Sequence, residues 1–149
     1  MRHLITGGTG FIGTALARHL LDAGHHVTVL DIAPPLPHPH RHEYHHERLA
    51  DVLGDVRDAP LVSSLVRRMD RVWHLASRVG VRHYIDSPGD TVSTTLSGAA
   101  AIIDACTKHG RPLMLASTSE AYGKGVKLPM HELDDIRFGD TGTTRWVYG

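Results

Sequence analysis

The chain has 149 residues, 41% of them hydrophobic, and its 16 Lys and Arg balance its 16 Asp and Glu. That length carries one domain with a real core, and the charge balance argues against a nucleic-acid partner or an acidic disordered tail. The single cysteine, Cys106, excludes a disulfide framework and fits a reducing compartment, and no apolar run approaches the roughly 20 residues of a membrane helix. The opening MRHLITGGTG breaks into glycines before the core of a signal peptide can form. The expectation is a soluble, cytoplasmic protein with neither nucleic acid nor membrane as partner.

Residues 3–6 form a short apolar run with glycines behind it, which predicts a buried strand. Across residues 11–23 the positions Ile12, Ala15, Leu16, Leu20 and Ala23 fall at helical spacing, and Gly24 closes that helix. A second, β-branched strand covers 27–30. The segment PHPHRHEYHH follows, holding His38, His40, His42, His45 and His46 of the chain's 13 histidines. Imidazole is a common metal ligand, but Pro34, Pro35, Pro37 and Pro39 deny this stretch regular structure, and no cysteine accompanies it. A solvated loop is the reading, with no metal site.

Val52 and Leu53 end a third strand before GDVRD, a helix covers 61–69, and RVWHLA from Arg71 is a fourth strand. His74 on that strand reads as a core histidine. From Pro88 to His109 a long helix carries Val92, Leu96, Ala99, Ala100, Ile103 and Cys106 along one stripe, expected to be its buried face. Gly110 ends it. PLMLAS from Pro112 is a fifth strand. Strands alternating with helices predict an α/β, Rossmann-like doubly wound parallel sheet in three layers, α/β/α, with strand order 3-2-1-4-5.

ITGGTGFIG carries the first chemistry. Gly7, Gly10 and Gly13 stand three apart between a strand and a helix. In that setting the first glycine permits a tight turn, the second lets backbone approach a pyrophosphate, and the third lets helix and sheet pack closely. The phosphates then meet the positive end of the helix opening at Phe11 and Ile12. Asp31 lies eighteen residues beyond Gly13, at a strand end, where a carboxylate accepts hydrogen bonds from the adenosine ribose. It repels a 2′-phosphate, and neither Ile32 nor Ala33 offers compensating charge, so the spacing predicts NAD rather than NADP.

With these motifs the chain resembles the extended short-chain dehydrogenase/reductase family, the NAD-dependent nucleotide-sugar epimerases, dehydratases and decarboxylases. TGGTGFIG is similar to the family's cofactor loop. GDVRD is similar to the stretch where an acid and the next residue, here Asp55 and Val56, meet the adenine. HLAS at 74–77 is similar to the strand end along the cofactor, which implies roles for Leu75, Ala76 and Ser77. LASTSEAYG at 115–123 and RWVYG at the C-terminus resemble the catalytic segments. Three positions depart from the family: Thr95 stands where Asn is usual, Ala99 where Thr is usual and, a smaller change, Ser77 where alanine is common.

The resemblance implies chemistry at Thr118, Ser119, Glu120 and Tyr148. Tyr148 would be the base that takes the sugar 4-hydroxyl proton while hydride leaves C4 for NAD. A tyrosine, with solution pKa near 10, needs cationic neighbours for that task. Thr118 would bond the substrate oxygen. The pair Ser119–Glu120 replaces the Asp-Glu of dehydratases and takes the form seen in UDP-glucuronate decarboxylases, whose 4-keto intermediate loses CO2 to give UDP-4-keto-pentose or UDP-xylose. UDP-sugar 4-epimerases share these letters, and a non-catalytic cofactor-binding module is the reading from another class. The family continues into a lysine four residues beyond the tyrosine and a smaller sugar-gripping portion. Residues 1–149 therefore read as an NAD-binding Rossmann-like domain, the N-terminal portion of a longer enzyme and inactive alone. The UDP-sugar is the expected substrate, and a homodimer through the helix at Pro88–His109 is implied.

Overall fold

The structure, a computed structural model, describes residues 1–34, 47–125, 127–140 and 142, with only the backbone for Val81 and Tyr84. The strands are β1 (Arg2–Thr6), β2 (His26–Asp31), β3 (Leu49–Leu53), β4 (Arg71–His74) and β5 (Leu113–Leu115). They form one parallel sheet in the order β3-β2-β1-β4-β5, the order read from the sequence. The helices are α1 (Phe11–Asp22), α2 (Ala59–Val66), α3 (Val81–Asp86) and α4 (Pro88–His109), followed by a 3-10 turn at Ser119–Tyr122.

Alternation along the strands makes two cores. Leu4, Leu30 and Val72 face one way and join Val62, Val66, Ile102 and Cys106 from α2 and α4. Ile5, Val27 and Val29 face the other way and join Ala17, Leu20 and Leu21 from α1. A parallel sheet covered on both faces needs apolar residues in consecutive positions, which β1 supplies: Leu4 and Ile5 are both fully buried. Each such side chain contributes roughly 1.5–3 kcal/mol of burial. The chain builds outward from β1 through β2 to β3, then crosses back to β4 and β5. The reversal opens a crevice at the carboxyl ends of β1 and β4, the edge where ligands settle in such sheets.

Several boundaries and one face differ from the sequence reading. α2 spans Ala59–Val66 because Asp58 caps it, its side chain accepting from the Leu61 amide at 3.0 Å, with Pro60 in the first turn. α3 has six residues, too few to show a period, and follows Gly80 at φ 121°. α4 runs from Pro88 to His109 as expected, ended by Gly110 in the left-handed region at φ 61°. Its buried face is Thr91, Gly98, Ile102, Ala105 and Cys106. Of the expected stripe only Cys106 is buried; Leu96 is 66% exposed, and Val92 and Ile103 are exposed too. The small residues decide this rotation: Gly98 lets the helix press on Val56, whose Cγ1 lies 2.7 Å from where a Cβ would stand.

Candidate active site

The glycine loop follows β1 and packs against the end of β4. Gly7 has φ 72°, and a Cβ there would lie 2.8 Å from the Ala76 nitrogen and 2.9 Å from the Leu75 carbonyl carbon. Its amide donates to the Leu30 carbonyl at 2.9 Å, tying the turn to β2. Gly13, in the first turn of α1, lies against the loop itself: its Cβ would stand 2.3 Å from the Gly7 oxygen. Gly10 faces open space apart from that same oxygen at 3.3 Å. It caps α1 without a side-chain hydrogen bond, and no acid lies in the first turn. The helix's first amides therefore keep their partial positive charge for an incoming anion. Phe11 is 95% exposed and Ile12 is exposed beside it, a bare apolar shelf at the mouth of the loop.

Asp31 ends β2, as the sequence predicts. Its carboxylate accepts from the Thr9 amide and from the Ala33 amide, each at 3.1 Å. Each oxygen retains a lone pair for a ribose hydroxyl. Asp55 lies beyond β3, held by Arg57 through its backbone amide at 2.8 Å and its guanidinium at 2.6–3.0 Å. These bonds hold the Asp55 carboxyl below the usual carboxylate range. Val56 is buried, its side chain packed under α4 against Gly98. Leu75 and Ala76 are half-buried against the two cores, and Ser77 is exposed. Sequence reasoning missed Arg57 as a partner of Asp55, although it stands two residues away in GDVRD. It also missed that two of the departures from the family pattern meet: Ser77 Oγ lies 3.2 Å from Thr95 Oγ1.

The crevice floor holds a buried polar pair. Thr6 Oγ1 lies 2.6 Å from His74 Nδ1 and accepts from the Ala76 amide at 3.3 Å. Burial pushes the His74 imidazole down to about 4, so the ring is neutral near pH 7. With the Ala76 amide as donor, the threonine hydrogen is available for Nδ1, and the ring proton then sits on Nε2. Thr6→Val keeps the shape and removes the hydroxyl. It is expected to cost about 1–3 kcal/mol, the usual penalty for unpartnered buried polar atoms, read as a lower urea midpoint with unchanged slope.

Thr118 follows β5 on the same edge of the sheet. It caps the 3-10 turn, Oγ1 accepting from the Glu120 amide at 3.2 Å, which leaves its hydrogen to donate elsewhere. Thr118 and Ser119 line a cavity of about 650 Å³ together with Tyr122, Lys127, His131 and Arg137. Thr118 and Glu120 are half-buried and Ser119 is exposed. Tyr148 and the histidine-rich segment lie outside the described residues. Among the described residues there is no group of three or more His, Cys, Asp or Glu suited to a metal, and no helix is long and apolar enough to cross a membrane.

A doubly wound sheet with an anion cradle at its switch point and an acid at the end of the second strand defines a dinucleotide-binding domain of the Rossmann class. A model of the NAD dependent epimerase/dehydratase family matches residues 3–149, and the chain belongs to that family. It is 36% identical over 150 residues to a UDP-N-acetyl-alpha-D-glucosaminuronate decarboxylase of Bacillus cytotoxicus, covering 99% of this chain and 45% of that protein. It is 41% identical over 135 residues to a dTDP-glucose 4,6-dehydratase of Mycobacterium tuberculosis, covering 83% of this chain and 38% of that one. A UDP-glucose-4-epimerase from Stenotrophomonas maltophila, solved with bound NAD and formylated UDP-arabinopyranose, superposes with TM-score 0.79 at 25% identity. That likeness covers 92% of this chain and 43% of the epimerase. The chain thus spans less than half the length of these relatives. NAD is the family's cofactor, and the uncapped, glycine-lined start of α1 fits its diphosphate.

Proposed function

We propose that this chain is the cofactor-binding part of an enzyme that decarboxylates UDP-glucuronate through a 4-keto intermediate. One observation carries the reading: the glycine cradle and the Thr118–Ser119–Glu120 segment share one edge of the sheet, and Thr118 and Ser119 border a cavity large enough for a sugar. The Bacillus cytotoxicus relative, whose name is that of a nucleotide-linked hexuronate decarboxylase, supports the choice of reaction.

In this reading the amides of Phe11, Ile12 and Gly13 hold the diphosphate, Gly7 and Gly10 let the backbone approach it, and Asp31 holds the ribose. Asp55 and Val56 meet the adenine, and Leu75, Ala76 and Ser77 flank the remainder. When bound, NAD supplies a hydride acceptor and later a donor. Tyr148 takes the proton of the 4-hydroxyl, and Thr118 donates a hydrogen bond to the oxygen that becomes the ketone. A ketone at C4 makes the C5 carboxylate part of a β-keto acid. Its C–C bond breaks, CO2 leaves, and the electron pair passes into the C4 enolate, which Thr118 stabilises by the same bond. Ser119 and Glu120 orient the carboxylate and manage the proton that returns to C5.

The test uses the full-length protein with NAD and UDP-glucuronate. CO2 release with formation of a UDP-pentose or UDP-4-keto-pentose is the expected result. Retained carboxylate with inverted C4 assigns a 4-epimerase, the second reading, which the Stenotrophomonas structure favours. Tight NAD binding without turnover of any UDP-sugar assigns a cofactor-binding module.

A further inference from the structure

Two cofactor-flanking segments, the turn after β3 and the loop after β4, are joined by one side chain from α4. Asp90 Oδ1 accepts from Arg57 Nη1 at 2.8 Å, and its Oδ2 accepts from Arg78 Nη1. Arg57 in turn grips both carboxylate oxygens of Asp55, and Ser93, one turn on, lies 3.4 Å from Arg57 Nη1. Arg78 directly follows Ser77, whose hydroxyl meets Thr95 of the same helix. Gly98, a further turn along, seats Val56. Asp90, Thr95 and Gly98 therefore meet, in order, the guanidinium of Arg57 that holds Asp55 together with that of Arg78, Ser77 in the loop after β4, and Val56, the residue after Asp55.

We propose that Asp90 is a positioning residue for cofactor binding: by pairing Arg57 and Arg78 it clasps the Asp55 turn to the β4 loop and fixes the adenine end of the crevice. The proposal rests on the reading of Asp55 and Val56 as the adenine contacts. The physics favours a fixed geometry. Side chains of Arg57, Arg78 and Asp90 are each 34–37% exposed, so solvent screens each pair. Three charges in a network restrain one another better than an isolated exposed pair does. An Arg57 freed from Asp90 could swing with Asp55, whose oxygens it holds, and carry the adenine acceptor out of register.

The test measures AMP and NAD affinity of the full-length protein by calorimetry. Asp90→Asn is expected to weaken both about fivefold, the upper end of what a solvent-screened ion pair contributes, and Asp90→Glu to restore part of the loss. In a background carrying Arg57→Met and Arg78→Met the further change Asp90→Asn is expected to cost nothing, because its partners are gone; a structural role unrelated to them would add its cost in full. AMP affinity within twofold of wild type in a folded Asp90→Asn protein overturns the proposal, as does full additivity. Should Asp90→Asn not fold, Arg78→Met alone carries the same AMP comparison. Asp55→Asn separates the two levels of inference. If it weakens AMP and Asp90→Asn does not, the clasp fails while the adenine reading stands; if Asp55→Asn has no effect, the adenine reading itself fails.

Discussion

Gly13→Ala is expected to lower NAD affinity by at least about 100-fold, roughly the 3 kcal/mol by which one forced methyl strains a packed site. The added carbon would stand 2.3 Å from the Gly7 oxygen and 2.6 Å from Gly8 Cα. Both are backbone atoms of the turn that presents its amides to the diphosphate, so relief requires moving the cradle. Helix propensity points the other way, since alanine stabilises an interior helical position by about 0.5–1 kcal/mol over glycine. Gly89 of α4 supplies the control: nothing lies within 4 Å of a Cβ there. Gly89→Ala is expected to leave NAD affinity unchanged and thermal stability equal or slightly raised. Titration calorimetry of both variants separates the steric argument from the propensity argument. Wild-type NAD affinity in Gly13→Ala would remove the basis for assigning the loop to a diphosphate.

The parts of the site that were legible in the sequence are those set by the backbone. Glycine spacing after a strand reports a turn, and the turn appears with Gly7 at positive φ. Asp31 was legible because a parallel strand delivers its last residue to the carboxyl edge, whatever its side chain. What escaped was set by side chains that meet only after folding. Arg57 and Arg78 are separated from Asp90 by 33 and 12 positions, and no local period links them. The buried face of α4 was misread for a related reason. That helix carries apolar residues on two stripes, and periodicity weighs Leu96 above Gly98 although the smaller residue is the one that reaches the sheet. Ser77 and Thr95 look like two independent departures in sequence and prove to be one contact.

Acidification from pH 6.5 to pH 4 is expected to remove about 3 kcal/mol of folding stability through His74 alone. The imidazole sits on β4 under the crevice, 4% exposed, with burial holding it down to about 4. In the unfolded chain it titrates near 6.5. Between those values the unfolded state binds a proton that the folded state does not, so stability rises with pH across the window and falls as acid is added. Above pH 6.5 both states are neutral and the contribution is complete; below pH 4 both are charged and the loss levels off. A displacement of about 2.5 pKa units corresponds to about 3 kcal/mol. His3 adds in the same direction, since burial and the neighbouring His25 and amino terminus also lower it. The carboxylates of Asp55, Asp70 and Asp90 are held below their ordinary range by arginine partners, so their losses fall at lower pH and leave this window to the histidines. His74→Asn places an amide oxygen where Nδ1 accepts from Thr6 and cannot ionise. Urea unfolding at half-unit steps from pH 7.5 to 4 is expected to show a much flatter profile in that variant, with the residual slope assigned to His3. A variant as acid-sensitive as wild type would place the titrating group elsewhere and leave the Thr6–His74 pair as a hydrogen bond with no part in the pH response.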